Sequence, residues 1–154
     1  MSVQEASHVA SRSRVRTQYA ALPWRMTNGA LEVLLITTLR TRRWIVPKGW
    51  PAAELSAQAC AAREALEEAG VCGIAGDKSI GAFRYAKHRK GGEIVSCKVE
   101  VFALEVTAQR RAWVEKGARE CRWCSAADAM ALVSEPGLRQ IIARFARASE
   151  IVAH

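Results

Sequence analysis

The 154-residue sequence predicts an α/β fold, a mixed sheet covered by helices, and three observations carry that expectation. Strand-like apolar runs recur between turn signals on both sides of one long, sharply bounded helix, and two further helical segments close the chain. Half the residues are apolar, enough for one continuous core, and no internal repeat is present, so a single domain is expected.

Residues 1–16 (MSVQEASHVASRSRVR) are polar and aperiodic and read as a flexible arm, leaving 17–154 as the domain. The arm's arginines read first as solvated, with a phosphate contact as the functional alternative. From Gln18, QYAALPWR reads as a strand, Asn28-Gly29 as a turn and ALEVLLITTL as a second strand, together a hairpin. After Arg40-Thr41-Arg42-Arg43, the strand WIV leads into PKGWP, whose flanking prolines predict a shaped loop without regular structure.

The long helix comes next. Ser56 reads as its N-cap, residues 57–69 are mostly helix formers, and Gly70 stands where a left-handed C-terminal cap belongs. GAFRYAK and EIVSCKVEVFALEV then read as strands joined by the basic loop His88-Arg89-Lys90-Gly91-Gly92, a second hairpin, followed by the short strand RECRWC. Ser125 with Asp128 three residues on forms a capping pattern for a helix over 126–133, and Pro136 opens a last helix through about Arg147.

Twenty-three Lys and Arg against fifteen Asp and Glu give a formal charge of +8, which favours anionic partners without choosing among nucleotides, inositol phosphates and nucleic acid. Five cysteines, an odd number set mostly in apolar stretches, read as a reducing compartment, the cytoplasm, rather than a disulfide framework. No segment resembles a signal peptide or a membrane span, so a soluble protein is expected.

At about 100° per residue, Glu64, Glu67 and Glu68 fall in one sector of the helix, with Ala59, Ala62, Leu66 and Ala69 expected to pack on the opposite side. Carboxylates this close repel unless a cation neutralises them, and hard oxygen ligands suit Mg²⁺ or Mn²⁺. A solvated acidic face is the bland alternative. Against it stand the glycine loop before the helix and the Lys and Arg just upstream, since a metal beside a basic rim is what phosphate chemistry needs.

The stretch GWPAAELSAQACAAREALEEAGV, Gly49 to Val71, resembles the box of the Nudix hydrolases, with Gly49, Arg63, Glu64, Glu67, Glu68, Gly70 and Val71 in register. The resemblance implies an α/β/α sandwich with a mixed sheet and Mg²⁺- or Mn²⁺-dependent cleavage of a phosphoanhydride. It implies Arg63, Glu64, Glu67 and Glu68 as catalytic residues, with Glu64, Glu67, Glu68 and the Gly49 carbonyl as metal ligands. A further carboxylate is expected from WVEKGARECRW, Glu115 in preference to Glu120. One position departs from the pattern: the first box glutamate falls at Leu55, with Glu54 one place early. Arg63 therefore needs another partner, and Glu67 one turn along is the candidate.

Over most of 17–145, QYAALPWR, TRRWIVPKGWP, FRYAKHRKGG and the later W-x-E and R-W elements resemble the diphosphoinositol polyphosphate and diadenosine polyphosphate hydrolase branch. The basic set Arg40, Arg42, Arg43, Lys48, Arg84, Lys87, His88, Arg89 and Lys90 exceeds what one diphosphate needs and suits a polyphosphate, although at least half should only solvate loops. Trp50, beside Gly49, is the aromatic expected to touch ligand, whereas Trp24, Trp44 and Tyr85 read as core. Cys121 and Cys124 read as strand packing rather than half a zinc site. The expected partner is an anionic phosphate-containing small molecule, with membrane and nucleic acid disfavoured and an oligomer left open. The rival reading is a catalytically weak Nudix-fold module that binds a nucleotide or RNA, motivated by Leu55 and the basic surface; the three retained glutamates weigh against it.

Overall fold

The computed structural model describes residues 15–153. Strands β1 (Val15–Thr27) and β2 (Ala30–Thr37) form the first hairpin, closed by Asn28 and Gly29 at φ 52° and 79°, the conformation a two-residue turn needs. The second hairpin joins β6 (Gly81–His88) to β7 (Ile94–Gln109). β7 also runs parallel to β1 from Val15↔Ser96 to Trp24↔Glu105, and this pairing makes the sheet mixed. With β3 (Trp44–Ile45), β4 (Lys48–Gly49), β5 (Val71–Ala75) and β8 (Cys121–Ser125), the eight strands make one sheet whose central path is β3-β2-β1-β7-β5.

Ala20, Ala21 and Leu22 are buried in succession, as a central strand covered on both faces requires. Helix α1 (Ala57–Ala69) packs on β1 and β5; α2 (Ala126–Leu132) and α3 (Pro136–Ala153) pack on each other, and α3 also lies against β6. The amphipathic α3 buries Leu138, Ile141 and Ile142 and sets Phe145 against Trp24, ring centroids 5.8 Å apart. Trp24 is thus spent on packing against the core rather than on a ligand.

Both well-marked helix starts hold. Ser56 Oγ accepts from Ala59 N at 3.3 Å and Ser125 Oγ from Asp128 N at 3.1 Å. Gly70, at φ 70°, closes α1 by donating to Leu66 O at 3.0 Å, and a Cβ there would also run into the Trp113 ring.

Four boundaries differ from the sequence expectation. Residues 1–14 of the expected arm lie outside the described residues, whereas Val15 and Arg16 already belong to β1, drawn in by pairing with Ser96 and Cys97. Lys48-Gly49, expected to be irregular, pairs with Ala20 and Tyr19; both prolines fall just outside the pair, so neither must donate to the ladder. β5 had no recognisable pattern, because VCGIA is short and carries a bulge between Cys72 and Gly73 where the β7 backbone comes too close for any side chain. α3 continues past Arg147 to Ala153.

Candidate active site

Helix α1 turns a different face to the sheet from the one its apolar residues suggested. Cys60, Ala61, Ala65, Ala69 and Glu68 are buried, while Ala59, Ala62 and Leu66 are only half-buried. Glu68 is therefore not on a solvated acidic stripe: it is 6% exposed, inside the packing surface. Small alanines there let the helix approach β1 and β4 closely, which carries the carboxylate under the Lys48-Gly49 strand.

Glu68 Oε1 accepts the backbone N–H of Lys48 at 3.2 Å, and Arg119 Nη2 lies 3.7 Å from its Oε2. Burial pushes the Glu68 carboxyl up to about 8, with neighbouring Glu64 adding to the rise and Arg119 opposing it. Burial also raises Glu64, and the charges of Glu67 and Glu115 push the same way. A Cβ at Gly49 would overlap the Glu64 carboxyl, so only glycine leaves space for that group beneath β4.

The remaining expected ligands are engaged by arginines. Arg119 binds Glu115 through Nη2 and Nε, each 3.1 Å from Oε1, and donates Nη1 to Thr37 O at 3.0 Å. Glu115 reaches the cluster because its backbone N–H donates to Glu67 O at 3.0 Å; Glu120 is exposed, its backbone paired with Thr37. Arg63 lies 3.9 Å from Glu67 Oε1, as expected, and equally 3.9 Å from Glu54 Oε1, so the glutamate one place early reaches the box arginine after all. Among the described residues, no three His, Cys, Asp or Glu side chains converge tightly enough to hold a metal as they stand. The expected five-ligand set is thus a loose cluster: Glu67, Glu68 and Glu115 have each turned to a cationic or N–H partner, while Glu64 stays beside Glu68 beneath Gly49. Its chemistry fits a divalent cation nonetheless: Glu64 and Glu68 are hard oxygen donors with raised proton affinity, beside a glycine that leaves room.

Glu68 and Arg119 form one wall of a cleft of about 640 Å³. Of the expected basic residues, Arg40, Arg43, Lys48, Lys87, His88 and Arg89 line it. Arg43 also pairs with the buried Glu135, Nη1 to Oε1 at 3.2 Å. Arg42 does not line the cleft. It sits at φ 54° with Nη1 donating to Ala118 O at 3.0 Å, holding two loops together. Trp50 stays outside the cleft as well, its ring approached by Arg16, Lys87 and Arg89 at 5.6, 5.3 and 5.8 Å. Arg63 remains on the outer side of α1.

The match of a NUDIX domain model to residues 16–145 decides the family. The chain belongs to the Nudix family. It is 33% identical over 124 residues to Nudix hydrolase 12, mitochondrial, and 32% identical over 123 residues to Nudix hydrolase 13, mitochondrial, both of Arabidopsis thaliana. Those alignments cover 78% and 76% of this chain but only 61% and 60% of the relatives, so the chain spans under two thirds of their length. The Ap4A hydrolase of C. elegans shares the fold at a TM-score of 0.62 and 18% identity, covering 86% of this chain and 97% of that one. The NUDIX domain of Shewanella oneidensis NrtR, solved with ADP ribose, does so at 0.62 and 14%, covering 94% and 97%. The α/β architecture with its mixed sheet is the Nudix fold.

Sequence reasoning missed several residues of this Nudix cleft. Tyr85, read as core, lines it, with its OH 2.9 Å from Lys48 Nζ and donating to Gln18 Oε1 at 2.7 Å. Alternation along β6 carried the signal, since Tyr85 and Lys87 share a face. Arg119 lay in the segment scanned for a carboxylate and was passed over for its charge. Gln18 and Glu135 gave no local sign, because their burial is a property of the assembled sheet and helices. Cys121 and Cys124 are both free, and three residues apart on β8 they point to opposite faces, which removes the zinc alternative.

Proposed function

We propose that this chain hydrolyses a phosphoanhydride of a nucleoside diphosphate-linked or polyphosphate substrate, with a divalent cation, Mg²⁺ or Mn²⁺, at the α1 carboxylates. The observation that carries the reading is the placement of buried Glu68, with Glu64 beside it beneath Gly49, against a basic cleft large enough for a nucleotide-sized anion. Glu64, Glu67 and Glu68, with the Gly49 carbonyl and Glu115, are the groups to hold the cation, which when bound would neutralise phosphate charge and make water more acidic.

The chain's own residues do the rest. Arg119 places positive charge beside Glu68, where charge builds on the phosphoryl oxygens during cleavage, and Lys48 lines the same cleft as a phosphate-binding cation. In its ionised form Glu68 is the group to take a proton from water, and burial keeps that carboxylate basic. Arg40, Lys87 and Arg89, with His88 beside them as a hydrogen-bonding side chain, extend the positive wall away from these carboxylates, which favours a substrate with more phosphates than one diphosphate. Trp50 supports the same preference, because the cations around its ring leave it better suited to organising charge than to stacking on a base. Diphosphoinositol polyphosphates and diadenosine polyphosphates are therefore the favoured substrates.

No helix among the described residues is long and apolar enough to cross a membrane, and the five free cysteines suit a reducing compartment, for which we read the cytoplasm. The test of function is a hydrolysis panel of diphosphoinositol polyphosphates, diadenosine polyphosphates, ADP-ribose and nucleoside triphosphates with Mg²⁺, Mn²⁺ or EDTA. Cation-dependent turnover, fastest on the first two, is expected. Failure on every substrate, with a salt-sensitive RNA complex, would favour the binding-module alternative.

A further inference from the structure

Lys48 is an unusual cation for its position. It is partly buried, makes no ion pair among the described residues, and faces the cleft from the two-residue strand β4. The neighbouring Glu68 takes the Lys48 backbone N–H rather than its ammonium. The ammonium instead meets the Tyr85 hydroxyl at 2.9 Å, with the Tyr85 ring centroid 4.6 Å away.

The direction of that contact is fixed one residue further back. Tyr85 has a single hydroxyl proton, and it is committed to Gln18 Oε1 at 2.7 Å. The phenolic oxygen can then only accept, so its lone pairs face Lys48. Gln18 is 2% exposed, at a position where a leucine would serve the core at least as well unless the amide had work to do. The three residues come from three strands, β1, β4 and β6, and β1 and β4 are locked together at Ala20↔Lys48 and Tyr19↔Gly49. With one of its three N–H groups given to Tyr85, the ammonium has two left for the cleft.

We propose that Tyr85 and Gln18 are positioning residues which aim the Lys48 ammonium at a phosphate in the cleft, giving the site a pre-oriented lysine in place of a freely rotating one. This rests on reading the cleft as a phosphate site. Pre-orientation lowers the rotamer entropy lost when the anion binds, so the effect belongs in binding and passes through Lys48 alone.

The experiment is a double-mutant cycle between Tyr85→Phe and Lys48→Met. It is read by calorimetric binding of inorganic tripolyphosphate, by KM and kcat on a substrate the wild type hydrolyses, and by urea denaturation. Tyr85→Phe should weaken tripolyphosphate binding roughly five- to tenfold, the scale of one net hydrogen bond, and raise KM by a similar factor with kcat held within about twofold. In the Lys48→Met background the same change should do nothing to binding. Tyr85→Phe strands the Gln18 carbonyl, so Gln18→Leu with Tyr85→Phe, which removes both partners, replaces it if the single variant is unstable. An equal loss in both backgrounds, or no loss in either, overturns the proposal. Coupled binding in a protein that hydrolyses nothing would uphold it and sink the hydrolase reading, and turnover without coupling would do the reverse. A wild type that neither binds tripolyphosphate nor hydrolyses any substrate overturns both.

Discussion

Arg119 stands with Nη2 3.7 Å from Glu68 Oε2, and the same nitrogen is 3.1 Å from Glu115 Oε1. One guanidinium thus ties the buried helix carboxylate to the loop carboxylate expected to complete the site. Replacing Arg119 with Gln leaves both carboxylates without their cation. We expect a loss of roughly 1–3 kcal/mol in stability with EDTA present, smaller in excess Mg²⁺, measured by urea denaturation in the two conditions. Equal losses with and without cation would separate Arg119 from the cluster.

Gly49→Ala tests the close approach of β4 to α1. The added Cβ overlaps the Glu64 carboxyl, which must swing out of place. A displacement of this kind far exceeds what catalytic geometry tolerates, so turnover should fall by about two orders of magnitude in protein that still folds by circular dichroism. Turnover within twofold of wild type would show that Glu64 need not occupy that position.

The raised Glu68 carboxyl gives a pH signature of cation-free protein. Its folded value of about 8 exceeds the ordinary carboxyl value of 4.5, so its contribution to stability is complete below about 4.5 and is lost as pH rises through about 8. In EDTA the urea midpoint should therefore fall between pH 5 and pH 8, and Glu68→Gln should flatten much of that slope. Lys48, lowered to about 8 chiefly by burial, acts in a higher window, its stability deficit easing as pH climbs from about 8 toward 10.5. A midpoint that rises from pH 5 to pH 8 in EDTA would contradict the burial of Glu68.

How legible the site was depended on whether the signal was local. The caps Ser56 and Gly70 and the register of Arg63, Glu64, Glu67 and Glu68 were readable because one helix and its ends hold them. Which face of that helix is buried was not. Alanines occur all round it, so composition could not distinguish Ala61 and Ala65, which pack, from Ala59 and Ala62, which pack less. The basic residues showed the same division. Lys48 and Lys87 were found by charge and lie in the cleft, whereas Arg42, identical by that criterion, is spent on Ala118 O because its backbone is left-handed. Gln18, Tyr85 and Arg119 come together only across strand pairings many residues apart.

Arg42 and Lys48 accordingly should part company in kinetics. Lys48→Glu should raise KM for a polyphosphate substrate at least tenfold, since it reverses a charge inside the cleft. Arg42→Ala should leave KM within about twofold and lower stability by roughly 1 kcal/mol, the value of one hydrogen bond. Matching effects on KM would return Arg42 to the substrate site.

The departure from the box pattern at Leu55 can be tested from both sides. Glu54, 73% exposed, pairs with Arg63 only at 3.9 Å, so Glu54→Ala should cost under about 0.5 kcal/mol. Leu55→Glu should improve apparent Mn²⁺ affinity in calorimetry by giving Arg63 a carboxylate in the family position. Unchanged affinity and turnover would mean that Leu55 carries no cost.

The most direct test of the paired α1 carboxylates at the basic cleft is single-turnover and steady-state hydrolysis by Glu64→Gln and Glu68→Gln, with folding checked by circular dichroism. Each variant should lose most of the wild-type turnover on the best polyphosphate substrate while remaining folded. Near-normal rates in both folded variants would contradict the assignment of the site.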